Sequence, residues 1–338
     1  MSDLAVLVVG AGRAGMVHAR NFAAGVPGSH LVGIADPATD VAERAAAELG
    51  CQAFVDPVAA VTDDRVDAVV IASPTFSHAD LAVAALAAGK HVLSEKPLAA
   101  SLADAHRIEA ALGAARCVFM MAFMRRFDRG FRRARELIDQ GAVGEPLYIR
   151  STTRGPGLPP PWAWDVERSG GLIAEVNSHD IDTVRWLSGQ EFARVRAIGR
   201  AAKRPEIAAS HPGFVDVLAL QASLDRGGLA HIDGACPADY GYDARAEVYG
   251  TEGVLFVGDP AEGPLVVTKQ QVRRDPVAGW ARLFQDAYRA EDRHFIAACR
   301  GDAPAEPGLR DGLRALEVVI AVNRSLREDR DVSLGEVR

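Results

Sequence analysis

The sequence has few cysteines, and they form no metal-binding or disulfide pattern. The four cysteines stand far apart among 338 residues, at Cys51, Cys117, Cys236 and Cys299, and no C-x-x-C pair is present. Such sparse usage is typical of a protein in a reducing compartment, and it argues against a structural zinc site.

The sequence also lacks an excess of basic residues and a long apolar run. Its formal net charge is −7 and its sequence pI is about 5.8, so no basic surface for a nucleic-acid backbone is expected. The stretch MSDLAVLVVGAG at the N-terminus carries no basic segment or small-residue cleavage site, and its apolar run is too short for a membrane span. We therefore expect a cytoplasmic protein that binds neither nucleic acid nor membrane.

The ordering of apolar runs predicts two domains of different architecture. Short aliphatic runs alternate with alanine-rich helical stretches before residue 123, which predicts a parallel sheet covered on both faces. Longer alternating strands follow, with few helices separating them, and this pattern predicts a large, mostly antiparallel open sheet. We expect an α/β domain over residues 1–123 and an α+β domain over residues 124–338, whose last helix can pack on the first domain.

A glycine-rich turn follows the first predicted strand. GAGRAG contains Gly10, Gly12 and Gly15 and opens a helix. The first glycine allows the tight turn, the second lets the backbone approach a pyrophosphate, and the third lets helix and strand pack closely. Asp36 ends the second strand, where a carboxylate accepts hydrogen bonds from ribose hydroxyls and repels a 2′-phosphate. The pattern predicts a dinucleotide site that prefers NAD over NADP.

Two further polar segments follow predicted strands of the first domain. ASPTFSH (72–78) and SEKPL (94–98) stand at the carboxyl ends of strands, where open parallel sheets bind ligands. An ordinary helix start and a surface lysine are the alternative interpretations of these segments. The predicted cofactor-binding residues are Gly10, Gly12, Arg13, Ala14, Gly15, Asp36, Ser73, Pro74, Thr75, His78, Glu95 and Lys96.

The stretch GGLIAEVNSHDID (170–182) holds a carboxylate and an imidazole four residues apart, at Glu175 and His179. On a helix this spacing places both side chains on one face. The pair is a solvated helix face, an acid/base pair or part of a metal site. No third and fourth metal ligands stand out at suitable spacing, and Lys96 would repel a cation, so we predict no metal.

Taken together, the motifs resemble the Gfo/Idh/MocA oxidoreductase family over essentially the whole chain. The resemblance is carried by GAGRAG, ASPTFSH, AGKHVLSEKPLA, GEPLYIR and GGLIAEVNSHDIDTVRWLSG, in that order and spacing. MAFMRRFDRGF, YGYDARAEVYGTEG and WARLFQDAYRAEDRHFI resemble more narrowly its inositol 2-dehydrogenase branch. The resemblance implies a Rossmann domain followed by a domain built on a large open, mostly antiparallel sheet, in agreement with the pattern of runs.

The resemblance also implies a reaction and its residues. It implies NAD-dependent oxidation of a ring hydroxyl of a cyclitol or sugar, with Lys96 as the E-K-P lysine and His179 as the catalytic histidine facing the nicotinamide. A neutral imidazole can accept the proton of the hydroxyl group, and a lysine ammonium can donate a hydrogen bond to the reacting oxygen. The family usually has aspartate where this chain has Glu175, so the carboxylate that orients His179 is one methylene longer.

The substrate side departs from the inositol dehydrogenase pattern. Those enzymes end the strand after GEPL with His-x-Asn, whereas this chain has Thr153, Arg154 and Gly155. Arg154 is a candidate that compensates for the missing contacts, and Tyr240 and Tyr242 fall where the branch offers tyrosines to substrate. Trp162 is a candidate pocket wall, with a core or interface role as the alternative.

Three further expectations complete the interpretation. The first alternative to a dehydrogenase is a family member that uses bound NAD transiently to cleave glycosides. The second is a dinucleotide-binding regulator without catalysis, against which the presence of Lys96 and His179 counts. The open sheet of the second domain needs a cover on both faces, so we expect a homodimer or homotetramer that acts on a small polyol or sugar.

Overall fold

The computed structural model describes residues 2–267 and 271–338. Its strands are β1 (Leu4–Val9), β2 (Ser29–Ala35), β3 (Gln52–Phe54), β4 (Ala68–Ile71), β5 (His91–Glu95), β6 (Phe119–Ala122), β7 (Pro146–Arg154), β8 (Phe192–Arg200), β9 (Val217–Leu224), β10 (Leu229–Ala235), β11 (Asp243–Gly250), β12 (Val254–Val257), β13 (Ala261–Val267), β14 (Val272–Pro276) and β15 (Val332–Ser333). Its α-helices are α1 (Arg13–Ala23), α2 (Thr39–Leu49), α3 (Pro57–Val61), α4 (His78–Ala87), α5 (Leu102–Ala114), α6 (Arg129–Asp139), α7 (Val166–Ser169), α8 (Gly171–Glu175), α9 (Ser178–Ser188), α10 (Pro205–Ser210), α11 (Trp280–Leu283), α12 (Gln285–Cys299) and α13 (Leu309–Glu328).

The first of two compact units is built on a parallel six-stranded sheet. The strand order is β3-β2-β1-β4-β5-β6, and every pairing in the sheet is parallel. Central strands carry continuous aliphatic runs because both sheet faces are covered: Val6, Val8, Val70 and Leu93 are fully buried. From β1 the strands continue to one side as β2 and β3, and to the other side as β4, β5 and β6. Folds with this strand order bind their ligands at the switch between β1 and β4.

The first unit is discontinuous, unlike the predicted single stretch of residues 1–123. It comprises the chain up to Phe127 together with Gln285–Leu316. The second segment belongs here because α12 turns an apolar face inward, where Phe295 and Ile296 join Phe22 in one buried cluster. The sequence gives no local signal for this return of the chain to the first unit, because the apolar face of α12 has a spacing that could pack on either sheet.

The second unit is built on a mixed, mostly antiparallel seven-stranded sheet. It comprises Asp128–Phe284 and Glu317–Arg338, and its strand order is β12-β11-β7-β10-β9-β8-β15. Only β7 and β10 pair in parallel within this sheet. The structure thus confirms the predicted fold class, a parallel α/β domain followed by an α+β domain with a mostly antiparallel sheet.

The two faces of the seven-stranded sheet differ in their cover. One face packs on α9 and on the later part of α13, where Ser151 Oγ donates to Asp180 Oδ1 at 2.5 Å and Ala197 N donates to Ser325 Oγ at 3.0 Å. The opposite face, called the open face below, exposes Ile198, Leu229, Val217, Tyr249, Val254 and Phe256. Alternation along each strand produces this division, because neighbouring side chains point to opposite faces.

Helix α6 lies in an arginine-rich stretch at the beginning of the second unit. Phe131, Ala134 and Ile138 form its buried stripe, and Asp128 caps its N-terminus by accepting from the backbone N–H groups of Gly130 and Phe131. Within the described part of the chain, no helix combines the length and apolar character that a membrane span requires.

Candidate active site

The glycine turn after β1 has a conformation that requires two of its glycines. Gly10 has φ +98°, and a Cβ there would lie 2.6 Å from the carbonyl oxygen of Ala72. A Cβ on Gly15 would lie 1.8 Å from the carbonyl oxygen of Gly10, so helix α1 crosses β1 too closely for any side chain. At Gly12, by contrast, an added Cβ meets nothing within 4 Å.

The space at Gly12 adjoins the N-terminus of α1, which begins at Arg13. Backbone N–H groups at the start of a helix bind phosphate because they lack intrahelical partners and lie at the positive end of the helix dipole. Ala14 lies in the same first turn. A turn with two sterically required glycines and one open glycine therefore fits the pyrophosphate of a dinucleotide.

Asp36 lies beside this turn, at the carboxyl end of β2. Its Oδ2 accepts from the backbone N–H of Ala11 at 3.0 Å, and its Oδ1 accepts from that of Ala38 at 3.0 Å. These bonds hold the carboxylate next to the glycine turn, while the side chain stays partly accessible. The residues present thus fit a dinucleotide whose adenosine ribose carries free hydroxyls.

The segment after β4 is tied to the segment after β5 through His78. The His78 ring is buried, with Nδ1 2.8 Å from the carbonyl oxygen of Pro97 and Nε2 2.8 Å from that of Ser73. Burial lowers the pKa of His78 and favours the neutral ring, although the two carbonyl oxygens oppose this. Since both ring nitrogens face the protein's own carbonyl groups, the predicted contact between His78 and the cofactor stays a prediction.

Short turns shape the rest of the segment after β4. Pro74 precedes a 3-10 turn over Thr75–Ser77, and Thr75 is buried. Ser73 Oγ lies 2.7 Å from Ser77 Oγ, so the hydroxyl groups pair with each other across this turn. The residue before the 3-10 turn is Pro74 and the residue before α4 is Ser77, and neither makes a capping hydrogen bond through its side chain.

Lys96 follows directly after β5, and the peptide bond between Lys96 and Pro97 is cis. The Lys96 backbone N–H donates to Glu95 Oε2 at 3.1 Å. The side chain of Glu95 is buried and points into the unit, where its Oε1 lies 3.5 Å from His18 Nε2. Glu95 therefore supports Lys96 from inside the protein, and its predicted cofactor contact stays a prediction.

Glu175 and His179 do not share one continuous helix, so that sequence expectation was wrong. Helix α8 ends at Glu175 and α9 begins at Ser178, with Asn177 between them at φ −95° and ψ 2°. The Asn177 side chain donates to Asp180 Oδ2 at 2.7 Å and to the carbonyl oxygen of Asp233 at 3.3 Å. Asparagine side chains that find such partners compete with regular helix formation, which accounts for the break.

His179 lies in the first turn of α9 and is buried, with 6% of its surface exposed. Its backbone carbonyl accepts from Thr183 Oγ1 at 2.7 Å. Asp182, one turn further, is also buried, and its Oδ1 lies 3.7 Å from Arg185 Nη1. This contact favours a structural ion-pair role for Asp182, and Glu175 stays the carboxylate predicted to act on His179.

Arg154 lies on the open face, not on the face that packs against α9. Ser151 contacts α9 through Asp180, and strand alternation places Arg154 on the other side of the sheet. There its Nε donates to Asp233 Oδ2 at 2.8 Å, and its Nη1 lies 3.4 Å from the Tyr240 hydroxyl. Burial raises the pKa of Asp233, but hydrogen bonds from Thr152 and Arg154 outweigh burial and lower it.

The structure therefore does not bring Arg154 and Tyr240 together with His179. They line a separate cavity of about 500 Å³ on the open face, together with Ile198, Lys203 and Asp239. Substrate contact by Arg154 or Tyr240 stays a prediction, and their observed partners favour a structural role. The sequence did not indicate on which face of the sheet Arg154, at the end of its strand, would lie.

Tyr242 and the tryptophans of the proline-rich loop have protein neighbours. Tyr242 is buried, and its ring meets Phe284 edge-on at 6.3 Å between centroids. Trp162 is partly buried in the short 3-10 helix Pro161–Trp164. Trp164 Nε1 donates to the carbonyl oxygen of Pro159 at 3.1 Å. The loop is ordered by these contacts, and substrate contacts by Tyr242 and Trp162 stay predictions.

One group of buried residues near Lys96 was missed from the sequence. His18 Nδ1 lies 2.6 Å from Asp292 Oδ1, although the two residues are 274 positions apart in the chain. The sequence signal was weak, because Asp292 stands among charged residues of both signs, which are typical of an exposed helix face. Only the docking of α12 against α1 brings this carboxylate into the interior.

Comparison with known protein families matches both units. The family model described as "Oxidoreductase family, NAD-binding Rossmann fold" matches residues 4–123, and the "GFO/IDH/MocA C-terminal domain" matches residues 131–256. Together these models cover most of the chain, in the order that the sequence motifs predict.

Characterised relatives match along nearly their full length. The chain is 34% identical over 334 residues to scyllo-inositol 2-dehydrogenase (NAD(+)) of Bacillus subtilis, covering 98% of this chain and 96% of that protein. It is 35% identical over 334 residues to myo-inositol 2-dehydrogenase of Thermotoga maritima, covering 98% of each.

A solved structure gives the same result for the fold. Scyllo-inositol dehydrogenase from Lactobacillus casei, crystallised with NAD(H) and scyllo-inositol, superimposes with a TM-score of 0.91 at 27% identity, covering 99% of this chain and 100% of that one. The strand order of the first unit agrees with the match to an NAD-binding Rossmann fold. The chain therefore belongs to the Gfo/Idh/MocA oxidoreductase family and is an NAD-dependent, inositol dehydrogenase-like oxidoreductase.

Proposed function

We propose that this protein oxidises a ring hydroxyl of an inositol-like cyclitol or sugar to a ketone, with transfer of the hydride to NAD. The observation that carries the proposal is the similarity, along nearly the whole chain, to proteins named as inositol 2-dehydrogenases. The geometry of the glycine turn and the position of Asp36 support it independently, because they fit NAD without reference to any relative.

The oxidation requires that the carbon lose a hydride and the hydroxyl lose a proton. Bound NAD supplies the hydride acceptor. We assign the proton acceptor to His179, a buried imidazole on the first turn of α9. We assign to Lys96 the ammonium that donates to the reacting oxygen and stabilises the alkoxide as it develops. Glu175 is the carboxylate proposed to orient His179 and stabilise its imidazolium.

Cofactor preference is proposed to depend on Asp36. The carboxylate is held by two backbone N–H groups and remains partly accessible, so it has lone pairs left for the ribose hydroxyls. A 2′-phosphate would meet a negative charge at the same position. NAD is therefore the proposed physiological cofactor, and NADP a poor substitute.

Substrate recognition is proposed to differ in detail from that of the inositol dehydrogenases. Thr153 and Gly155 occupy the positions where the family resemblance implies a histidine and an asparagine in those enzymes. Thr153 is buried on the sheet face that packs against α9, which is the face nearest to His179 within this unit. The loss of two polar groups predicts a polyol with fewer or differently placed hydroxyls at this side.

We further propose a homodimer or homotetramer that forms through the open face. Ile198 and Phe256 are 68% and 71% exposed, and Leu229 and Tyr249 are both 53% exposed. Large apolar side chains distributed across one sheet face are more often covered in the working protein than left in water. Light scattering at micromolar concentration tests this proposal, and a monomeric mass would contradict it.

The experiment that tests the function is a panel of cyclitols and aldoses incubated with NAD, followed by NADH absorbance. Lys96→Met and His179→Ala should abolish most of the NADH signal. The matched controls are Lys90→Met, at the opposite end of β5, and His231→Ala, on β10, and both should retain it. Failure of the wild-type protein with every polyol and sugar would overturn the proposal. Glycoside cleavage without net NADH would instead favour transient use of bound NAD.

A further inference from the structure

A buried group of charged side chains lies inside the first unit, at the carboxyl end of β5. His18 and Asp292 are fully buried, and Glu95 is 5% exposed. The imidazole of His18 lies between the two carboxylates, with Nδ1 2.6 Å from Asp292 Oδ1 and Nε2 3.5 Å from Glu95 Oε1. Asn21 donates to the other oxygen of Asp292 at 2.8 Å. These four residues are called the buried cluster below.

The charges in the buried cluster follow from these contacts. Burial acts to lower the pKa of His18, but Asp292 and Glu95 outweigh it and hold the pKa well above 6.5. Burial acts to raise the pKa of Glu95, but His18 and Lys96 outweigh it and hold the pKa below its usual value. The cluster therefore contains an imidazolium between carboxylates.

A third acidic side chain, beside the cluster, behaves differently. Glu291 is fully buried, and neither of its carboxyl oxygens has a hydrogen-bond partner. Burial raises its pKa well above 4.5, and the negative charges of Glu95 and Asp292 add to this effect, while the charge of His18 opposes it. Burial and the neighbouring negative charges thus favour the neutral form of Glu291.

The buried cluster reaches Lys96 through a single carboxylate. The Oε1 of Glu95 faces His18, while its Oε2 accepts from the Lys96 backbone N–H at 3.1 Å. A positive charge that attracts Oε1 therefore acts on the same carboxylate whose other oxygen accepts from the Lys96 backbone. His18 Nε2 faces Oε1 at an ion-pair distance of 3.5 Å, and neither atom has a hydrogen-bond partner among the described residues.

We propose that His18 and Asp292 are positioning residues for Lys96: the imidazolium of His18, held by Asp292, fixes the Glu95 carboxylate on the Lys96 backbone and so aims the ammonium at the reacting oxygen. The inference builds on the proposed function, since the oxygen is that of the polyol. No substrate contact is assigned to His18 or Asp292, because both are fully buried.

The proposal has a definite pH dependence. The groups that face His18 are Glu95 at the end of β5 and Tyr288, Glu291 and Asp292 from α12, with the Tyr288 ring edge-on at 5.2 Å; the charge of Lys96 acts on Glu95. Because the folded pKa of His18 is raised, the imidazolium and its contribution persist at neutral pH and disappear only as the pH rises through that folded value. Removal of the Asp292 charge should bring this loss into the neutral range.

Two neighbouring carboxyl groups provide a matched pair of variants. Asp292→Asn and Glu291→Gln make the same isosteric change in adjacent, fully buried residues. Asp292→Asn removes the carboxylate 2.6 Å from His18 Nδ1, whereas Glu291→Gln replaces a group whose neutral form burial already favours. A general disturbance of packing would affect both variants alike, so only the proposal predicts that they differ.

The first measurement is an NMR titration of the histidine rings, which needs no enzymatic activity. Of nine histidines, the one that disappears in His18→Gln should remain protonated through neutral pH in the wild-type protein. In Asp292→Asn it should titrate at lower pH, and in Glu291→Gln it should match the wild type. A wild-type His18 that titrates near its ordinary value would overturn the assignment of charge in the cluster.

The second measurement is the pH dependence of kcat with the best polyol from the panel. Asp292→Asn should lose at least about tenfold in kcat as the pH rises, within the roughly 10²-fold that a misplacement of about 1 Å costs. His18→Gln should lose a similar factor at every pH, and Glu291→Gln should keep the wild-type profile. The KM for NAD should change little in all three.

The outcomes separate this inference from the proposed function. If the wild-type protein oxidises no polyol, the proposed function fails, while the NMR titration still reports on the cluster. If the wild-type protein is active and Asp292→Asn and His18→Gln keep its kcat profile, the positioning role is wrong. An equal loss in Asp292→Asn and Glu291→Gln would also overturn it, because packing alone would then account for the effect.

Discussion

Replacement of Asp36 by alanine should convert a strict preference for NAD into a weak one. The carboxylate has two partners in the protein, the backbone N–H groups of Ala11 and Ala38, each at 3.0 Å. Both groups lie near the surface, where water replaces the lost acceptor. The fold should therefore tolerate the change, and the main effect should fall on the cofactor.

The size of the effect follows from the bonds and charges involved. A hydrogen bond to a charged group contributes about 1.5–3 kcal/mol, and each ~1.4 kcal/mol is a factor of ten. Loss of the ribose contact should lower kcat/KM for NAD about 10- to 100-fold. Two unit charges about 4 Å apart near a protein surface interact by about 4 kcal/mol. After solvent screening of the partly exposed Asp36, its removal should raise kcat/KM for NADP by at least about tenfold.

The assay is a comparison of kcat/KM for NAD and NADP in the wild type, Asp36→Ala and a control. Asp67→Ala is the control because the Asp67 carboxylate likewise accepts a backbone N–H, that of Ala5 at 2.9 Å, next to the beginning of β1. The control should keep the wild-type preference. Equal use of both cofactors by the wild type, or an unchanged preference in Asp36→Ala, would refute the assignment of Asp36.

Two further predictions concern the glycine turn and the open face. Gly12→Ala should fold with near-normal thermal stability but bind NAD more weakly, because its Cβ enters open space beside α1; Gly15→Ala should lose stability, because its Cβ would lie 1.8 Å from the carbonyl oxygen of Gly10. Differential scanning fluorimetry with and without NAD measures both, and equal stability of the two variants would contradict the steric argument. Phe256→Glu should shift the mass seen by light scattering towards the monomer, because a charge on this 71% exposed apolar position opposes burial; an unchanged mass would place the contact elsewhere.

Much of the first unit could be predicted because its signals are local. The aliphatic runs of β1 and β4 and the glycine turn between β1 and α1 are each formed by residues that are adjacent in the sequence. The spacing of apolar residues and the identity of the turn residues therefore specify the helices and strands. The right-handed crossover between parallel strands limits how these elements connect. The predicted NAD site follows from the same local features, and the family comparison confirms the dinucleotide-binding domain.

The features that the sequence did not indicate arise where distant parts of the chain decide the outcome. The helix expected through Glu175 and His179 is interrupted because Asn177 finds partners on Asp180 and on the backbone of Asp233, more than fifty positions away. Arg154 turns to the open face because the strand register, rather than its own identity, sets its side. Neither fact is contained in the spacing of the residues concerned.

The domain boundary shows the same limit on a larger scale. Helix α12 follows the second sheet in the sequence, yet Phe295 packs into the core of the first unit and Asp292 pairs with His18. An amphipathic helix reports that it has an apolar face but not which sheet that face will cover. The buried cluster beside Lys96 was missed for this reason.

The central claim is that His179 removes the proton while Lys96 holds the reacting oxygen. The most direct test is the pH dependence of kcat/KM for the best polyol in the wild type and in His179→Ala. A general base contributes about 10²–10⁴-fold, so the variant should lose at least about a hundredfold and should lose the fall in rate at acid pH, with its NAD affinity nearly intact. If His179→Ala retains the wild-type rate and profile, His179 is not the base and the proposed mechanism is wrong.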